Sequence, residues 1–432
     1  MTWLRRGYKR AEFYLAGKGL CTESSRKVYT PRGRTDRYRT EPMQPRAETY
    51  AGTRYNAGSV QDGLLRTAVT VGTVASLTLT FFHPVMWLAA GLFLGLAALL
   101  LMPSLLTGVQ AEPLRFHFAA IWIFAVALLA LAQGATHEFY NVRQIGFLII
   151  GFGFGYLVSL VRVPALAAWT PFALLVTYFA ALAIMGRDPA ESLTQNSRNY
   201  VSAMLLALFA SAMLLTKPQV VQKRHIIPAL IVLTLSIWAT GRAGIICALL
   251  LAAGLSVALI FRGRLGVLRS TLALVVMLAL AVATFVGSEI LQQQGYLDRL
   301  SSRGLRDPSR LAILVSYFYQ IEVSELIFGK NYYHDTFMEK WGYNLHNSFL
   351  SAWAHLGLGY LLFLFATMAM CVRRLRTHPA IAVSVLVFGL RALTDTHLFA
   401  GQYDFIGFAA VFGFLRETSV PASRPSLVAS RS

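Results

Sequence analysis

The sequence predicts an all-α polytopic membrane protein, with about twelve membrane-crossing helices and one long outer loop containing amphipathic helices. Three observations predict it. Of 432 residues, 56% are apolar and only 14% charged, against roughly 45–50% and 25% in soluble domains. Apolar runs approaching the ~20 residues that a helix needs to cross a bilayer recur from Leu64 to Leu415. Polar residues gather in the short breaks between runs and in one long stretch, 288–346. Such a chain is neither disordered, nor a disulfide scaffold, nor an ordinary cytosolic enzyme. Its cysteines, Cys21, Cys247 and Cys371, form no paired framework and no metal spacing.

Residues 1–60 carry thirteen Lys or Arg against five acids and almost no apolar run. No apolar core follows at the distance a cleavable signal peptide requires. A disordered cytoplasmic arm is expected, drawn to anionic membrane lipid and not to nucleic acid. Membrane helices one to nine are expected within 64–287, over the runs 64–82, 85–101, 116–133, 145–161, 164–185, 200–216, 226–239, 245–261 and 267–286. Helices ten to twelve fall within 347–415, over 348–370, 381–393 and 397–415, and 416–432 is a cytoplasmic tail. Runs 226–239 and 381–393 are short for a bilayer and read as tilted, broken or buried helices. An even number of spans puts both termini on one side. Lys217, Lys223, Arg224, Arg262, Arg264, Arg269, Arg373, Arg374 and Arg376 then share that side, which the positive-inside rule makes the cytoplasm.

The 288–346 stretch accordingly lies outside the cytoplasmic membrane. Asp307-Pro308 reads as an N-cap followed by proline at the first helical position. Leu311, Leu314, Phe318 and Ile321 then recur at helical spacing, and Gly329 is a natural stop. The pattern predicts an amphipathic helix over the spans, a lid or wall for a site at the outer surface.

Polar groups placed at that surface include Arg143, Arg187, Arg198 with Asn199, Arg242, Arg299, Arg303, Arg306, Arg310, and His346 with Asn347. In Thr240-Gly241-Arg242-Ala243-Gly244 an arginine interrupts two apolar runs with almost no loop. At that depth an arginine is costly unless an anion meets it, whereas the bland alternative is snorkelling to headgroups. His346 opens the tenth span, where an imidazole can exchange a proton with a water-borne substrate. Asp395 in Arg391-Ala392-Leu393-Thr394-Asp395 is either an alternative base or the partner of a structural Arg391 ion pair. No Asp-x-Asp or Glu-x-Asp pair occurs, so neither a catalytic metal nor another cofactor is expected.

The stretch His346-Asn347-Ser348-Phe349-Leu350, followed by Gly357 and a long apolar run, resembles the signature of the O-antigen ligase and polymerase superfamily, which includes bacterial protein O-oligosaccharyltransferases. Thr240-Gly241-Arg242-Ala243-Gly244 is similar to that family's arginine-bearing outer turn. Ser309-Arg310 and Leu326-Ile327-Phe328-Gly329 are similar to landmarks in its periplasmic loop. Two departures stand out: Asn331 where many members have a second glycine after Gly329, and Gly359 closer to Gly357 than a full turn. The resemblance covers about 64–415 and implies an inner-membrane glycosyltransferase. Such an enzyme moves a glycan from undecaprenyl diphosphate, on the periplasmic face, to an acceptor. It implies Arg242 and Arg310 as a diphosphate clamp and His346 as base or orienter of the acceptor hydroxyl. Arg198, as a further phosphate contact, makes up the substrate-binding set with Asn199, Asn347 and Asp395, in which Asn347 holds the imidazole or caps the helix. The short tail weighs against a protein transferase and the single long loop against a polymerase. A ligase that uses a lipid A-core acceptor is therefore the leading expectation, a polymerase the runner-up, and a flippase or exporter of the lipid-linked glycan the alternative of a different class.

Overall fold

The runs that read as membrane helices are helices, with one exception outside the described residues. A computed structural model describes residues 57–108, 114–137, 142–193, 197–260, 308–319, 321–333, 335–340, 343–395, 399 and 401–417. Among the described residues, eight helices precede the long loop: α1 (Ala57–Leu79), α2 (Met86–Gly108), α3 (Leu114–His137), α4 (Val142–Leu160), α5 (Ala165–Ile184), α6 (Asn199–Thr216), α7 (Lys223–Trp238) and α8 (Arg242–Ile260). The loop contributes α9 (Pro308–Phe318), α10 (Val323–Phe328) and α11 (Thr336–Glu339). Last come α12 (Ser348–Arg374), α13 (Pro379–Ala392) and α14 (Asp404–Glu417). The arm up to residue 56, the run 267–286, the loop at 288–307 and the end of the tail lie outside the described residues, so the count of twelve is not reached here. Among the described residues five helices, α4, α5, α6, α8 and α12, are long and apolar enough to cross a membrane, and the chain is a multi-pass membrane protein.

The central helix is α6, buried on every side from Tyr200 to Leu215 and packed against α1, α4, α5, α7, α8, α13 and α14. A helix apolar all round is at home in such a position. Outer helices instead expose their apolar side chains, as α3 does with Ile121, Phe124, Leu128 and Leu131. The closest pair, α4 with α14, meets at Gly151 and Gly155. A Cβ there would stand 2.7 Å from Asp404 Cβ and 2.5 Å from Phe408 Cβ. Small residues one turn apart are what lets membrane helices approach this closely. The run at 397 becomes helical only at Asp404.

Basic groups close one end of this bundle. Lys217 Nζ donates to Ser159 O at 2.5 Å, Arg374 donates to Phe414 O at 3.0 Å, and the Arg416 guanidinium lies 5.2 Å from the Tyr156 ring centre. Each sits at a helix C-terminus, where orphan carbonyls and the helix dipole favour a cation.

The loop helices depart from the expected pattern in two ways. The single amphipathic helix is divided, with α9 ending at Phe318 and α10 starting at Val323 after a Glu322/Glu325 capping box. Its buried face is Ile313 and Tyr317, not the expected stripe: Leu314 is 39% and Phe318 41% exposed, the Leu311 side chain lies outside the described residues, and only Ile321 packs inward. Ile313, Tyr317, Tyr332 and Met338 pack on Leu345, Leu350, Trp353 and Ala354, covering the first part of α12. Tyr317 packs between Trp353 and Tyr332, at 5.9 and 6.3 Å, while the Phe318 ring rests on Trp353 at 5.3 Å with 41% of the residue still exposed, and Lys330 Nζ caps the α9 carbonyls of Tyr317 and, just beyond, Tyr319.

Helix α12 is broken at Gly357 (φ 73°, ψ −177°), and α10 ends at Gly329 (φ 98°, ψ 168°) against that break. Both conformations are essentially restricted to glycine. The two backbones touch: a Cβ on Gly329 would lie 2.3 Å from Ala354 O, and one on Gly357 2.6 Å from Ile327 O. Gly357→Ala is expected to cost about 2–5 kcal/mol, combining backbone strain and overpacking. Gly153→Ala, whose added Cβ meets nothing within 4 Å, is expected to be silent. Thermal unfolding of the two variants in detergent measures the difference.

Candidate functional site

At the end of the bundle opposite the basic cluster, six helix termini converge. Phe81, just past α1, stacks on Tyr403 at 6.0 Å and leans on Tyr200 of α6 at 5.0 Å. Tyr403 in turn donates to Thr78 Oγ1 at 3.2 Å, which joins the entry to α14 with the end of α1. Ser348, the first residue of α12, donates to Asp395 O at 2.5 Å, joining α12 to the end of α13.

Arg391 is the pin. Its side chain is fully buried, and it donates to Ser202 Oγ (3.3 Å), Thr394 Oγ1 (2.8 Å), Asn199 O (2.8 Å) and Asp395 Oδ2 (2.7 Å). Of the two readings of Asp395, the geometry is that of the ion pair, one helical turn apart. Asn199, read as a ligand contact, gives its carbonyl to Arg391 and Ser202. The fit is tight, since a Cβ on Gly244 would stand 2.2 Å from Ser202 Oγ. Arg391→Ala strands a buried carboxylate and is expected to cost about 3–5 kcal/mol. Replacing both members with leucine is expected to be milder than either single change. A double-mutant cycle on unfolding in detergent measures this.

Arg198 is likewise engaged. It forms a two-pronged ion pair with Asp188, with Nε at 2.9 Å from Oδ1, and donates to Thr240 Oγ1 at 3.3 Å. Asp188 also caps the short turn at Pro189–Ser192 through Ala190 N. The Asp-Pro step at 188–189 is a sequence signal for this cap but not for the ion pair with Arg198. Thr240 holds a left-handed conformation (φ 53°) in the turn between α7 and α8, so Arg198 fixes the strained residue from which Arg242 follows.

Arg242 opens α8 beside Asn199, whose Oδ1 lies 3.1 Å from where a Cβ on Gly241 would be. It is half-buried, and among the described residues its side chain has no hydrogen bond or ion pair, in contrast to Arg198 and Arg391. A half-buried guanidinium at the N-terminus of an apolar helix, without a counter-charge among the described residues, is an anion-binding arrangement.

The His346 backbone is also left-handed (φ 50°), its N–H donating to Asn344 Oδ1 at 2.8 Å. Asn347 is the helix cap, its Oδ1 accepting from Phe349 N at 2.9 Å and Leu350 N at 3.1 Å. That is the capping option of the two considered for it. The other histidine of this helix, His355, is buried and hydrogen-bonds Tyr332 Oη at 3.1 Å, so it braces the loop. Arg310 belongs to the first turn of α9, and its side chain lies outside the described residues, as do Arg299, Arg303 and Arg306. Arg143 stands apart, over the rings of Trp87 and Phe147 at 6.0 and 5.5 Å.

The structure thus gathers Arg198, Asn199, Arg242, Asn347 and Asp395 at connected helix ends, with His346 immediately before α12. Comparisons of the chain with protein-family models, with curated proteins and with solved structures find no match.

Proposed function

We propose that the protein is a membrane glycosyltransferase of the O-antigen ligase type, moving a glycan from undecaprenyl diphosphate to lipid A-core on the periplasmic face of a bacterial inner membrane. The single observation that carries this reading is Arg242: a half-buried guanidinium without a counter-charge among the described residues, at a helix end shared with the start of α12. The planar, two-pronged guanidinium fork matches the paired oxygens of a phosphate.

In this reading the end bearing Arg242 faces the periplasm and the Lys217, Arg374 and Arg416 end faces the cytoplasm, in keeping with the positive-inside rule. The acceptor hydroxyl attacks the anomeric carbon from the side opposite the diphosphate, and its proton passes to the His346 imidazole. The bond from the anomeric carbon to the diphosphate oxygen breaks, and its electron pair stays on the leaving diphosphate. One displacement inverts the anomeric centre. Arg242 and Arg310 hold the charge that develops on the leaving group. Arg198 acts through Thr240 to keep the turn, and Asn347 fixes the start of α12 that carries His346.

The test is incubation of purified protein with undecaprenyl-diphosphate glycan and rough lipopolysaccharide, followed by detection of the linked product. Extension of the lipid-linked glycan with no transfer to the core would replace the ligase with a polymerase. No bond formation with either acceptor, in detergent where transport has no meaning, would leave a flippase or exporter.

A further inference from the structure

The loop helices do not stop at the level of the site. Gly357, against which α10 ends, is nine residues into α12, about 14 Å from its Ser348 end at roughly 1.5 Å per residue. From Gly357 to Arg373, in the basic last turn, α12 runs on for about 24 Å, less than the roughly 30 Å of a hydrocarbon core. Helix tilt only shortens that height. A second ruler agrees. Two residues beyond Gly357, Gly359 O accepts from Trp122 Nε1 at 3.1 Å, and a Cβ on Gly359 would stand 2.8 Å from Val126 Cγ2. Trp122 and Val126 lie in the middle of α3, and α10 itself packs against α3.

At this depth α10 and α9 point apolar side chains away from the protein. Ile327 is 48% exposed and Val315 59%, with Leu314 and Leu326 beside them and with the open edge of Phe318, whose ring rests on Trp353. Of these, Leu326 and Ile327 belong to α10, which packs against α3. Polar side chains on α10 are confined to its N-terminal half, where Glu322 and Ser324 are exposed and the half-buried Glu325 turns back to accept from Glu322 N. Six residues of helix rise about 9 Å, enough to lift that end toward the interface while Phe328 stays deep.

We propose that α9 and α10 form a half-embedded hairpin whose outward face, Leu314, Val315, Phe318, Leu326 and Ile327, lies against acyl chains in the outer half of the bilayer. The loop then walls the site from the side, within the membrane, instead of covering it from the water. Its backbone polar groups are satisfied by helix, by the Lys330 cap and by the Trp353 Nε1 donation to Leu326 O at 2.8 Å, as that depth requires.

The test uses the full-length protein with Cys21→Ser, leaving the buried Cys247 and Cys371 in place, in nanodiscs of phosphatidylethanolamine and phosphatidylglycerol. Single cysteines Ile327→Cys, Val315→Cys and Glu322→Cys carry a nitroxide, and its relaxation by oxygen is compared with relaxation by a water-soluble nickel chelate. At 327 and 315 oxygen is expected to be several-fold the more effective collider, with the order reversed at 322. Should Ile327→Cys fail to fold, Leu326→Cys takes its place. Nickel relaxation at 327 equal to that at 322 would put α10 in water, and protection from both colliders would mean that protein covers it. Either result overturns the proposal, and neither depends on glycosyl transfer.

Discussion

His346→Asn is expected to lower the rate of glycan transfer by about 10²- to 10⁴-fold, the usual contribution of a positioned general base. Asparagine is the informative replacement because residue 346 has a left-handed backbone (φ 50°) that Asn tolerates better than Ala. The amide keeps the turn and cannot exchange the proton. His346→Ala is expected to lose as much activity and to add backbone strain, so comparing the two separates chemistry from shape. The measurement is turnover at saturating donor and acceptor, with matched unfolding temperatures as the control. Near-normal turnover in His346→Asn would remove the imidazole from the reaction.

Arg242→Ala is expected to lose about 10²- to 10³-fold in transfer, the scale seen when one donor to a developing oxyanion is removed. Arg242→Lys is expected to fall much nearer to the alanine variant than to wild type. The ammonium keeps the charge and loses the planar fork that grips two phosphate oxygens. An arginine that merely snorkels would behave otherwise, since lysine snorkels as well. Arg310→Lys is expected to match Arg242→Lys if both hold the diphosphate. Arg143→Lys is expected to be mild, because that guanidinium lies over Trp87 and Phe147 and away from the converging termini. Equal, mild losses in all three lysine variants would replace the clamp with a diffuse positive field.

The spans were legible because a helix surrounded by lipid or by other apolar helices is apolar all round and needs no periodicity to be found, and α6, enclosed by its neighbours, is the plain case. Periodicity misled in α9 for a related reason. It reports that Leu314 and Phe318 share an apolar stripe but not which medium covers it, and the buried residues proved to be Ile313 and Tyr317. The Arg391–Asp395 spacing and the Asn347 cap were readable from local rules of helix geometry. Contacts between distant segments were not. Nothing in the spacing of Gly329 and Gly357 says that their backbones touch. Nor does the isolated Asp188-Pro189 step reveal that Arg198 is its partner.

Arg391 also sets an order of events in biosynthesis. Its acceptors Ser202 and Asn199 precede it by 189 and 192 residues. At about 5–20 residues per second of chain growth, α6 therefore waits on the order of 10 to 40 s in the membrane before its buried end receives its donor. A nascent chain that has reached α12 already carries Arg198, Arg242, Arg310 and His346, yet its converging ends are not joined. Arrival of α13 is the step that ties the start of α6 to the start of α12 through Arg391 and Asp395.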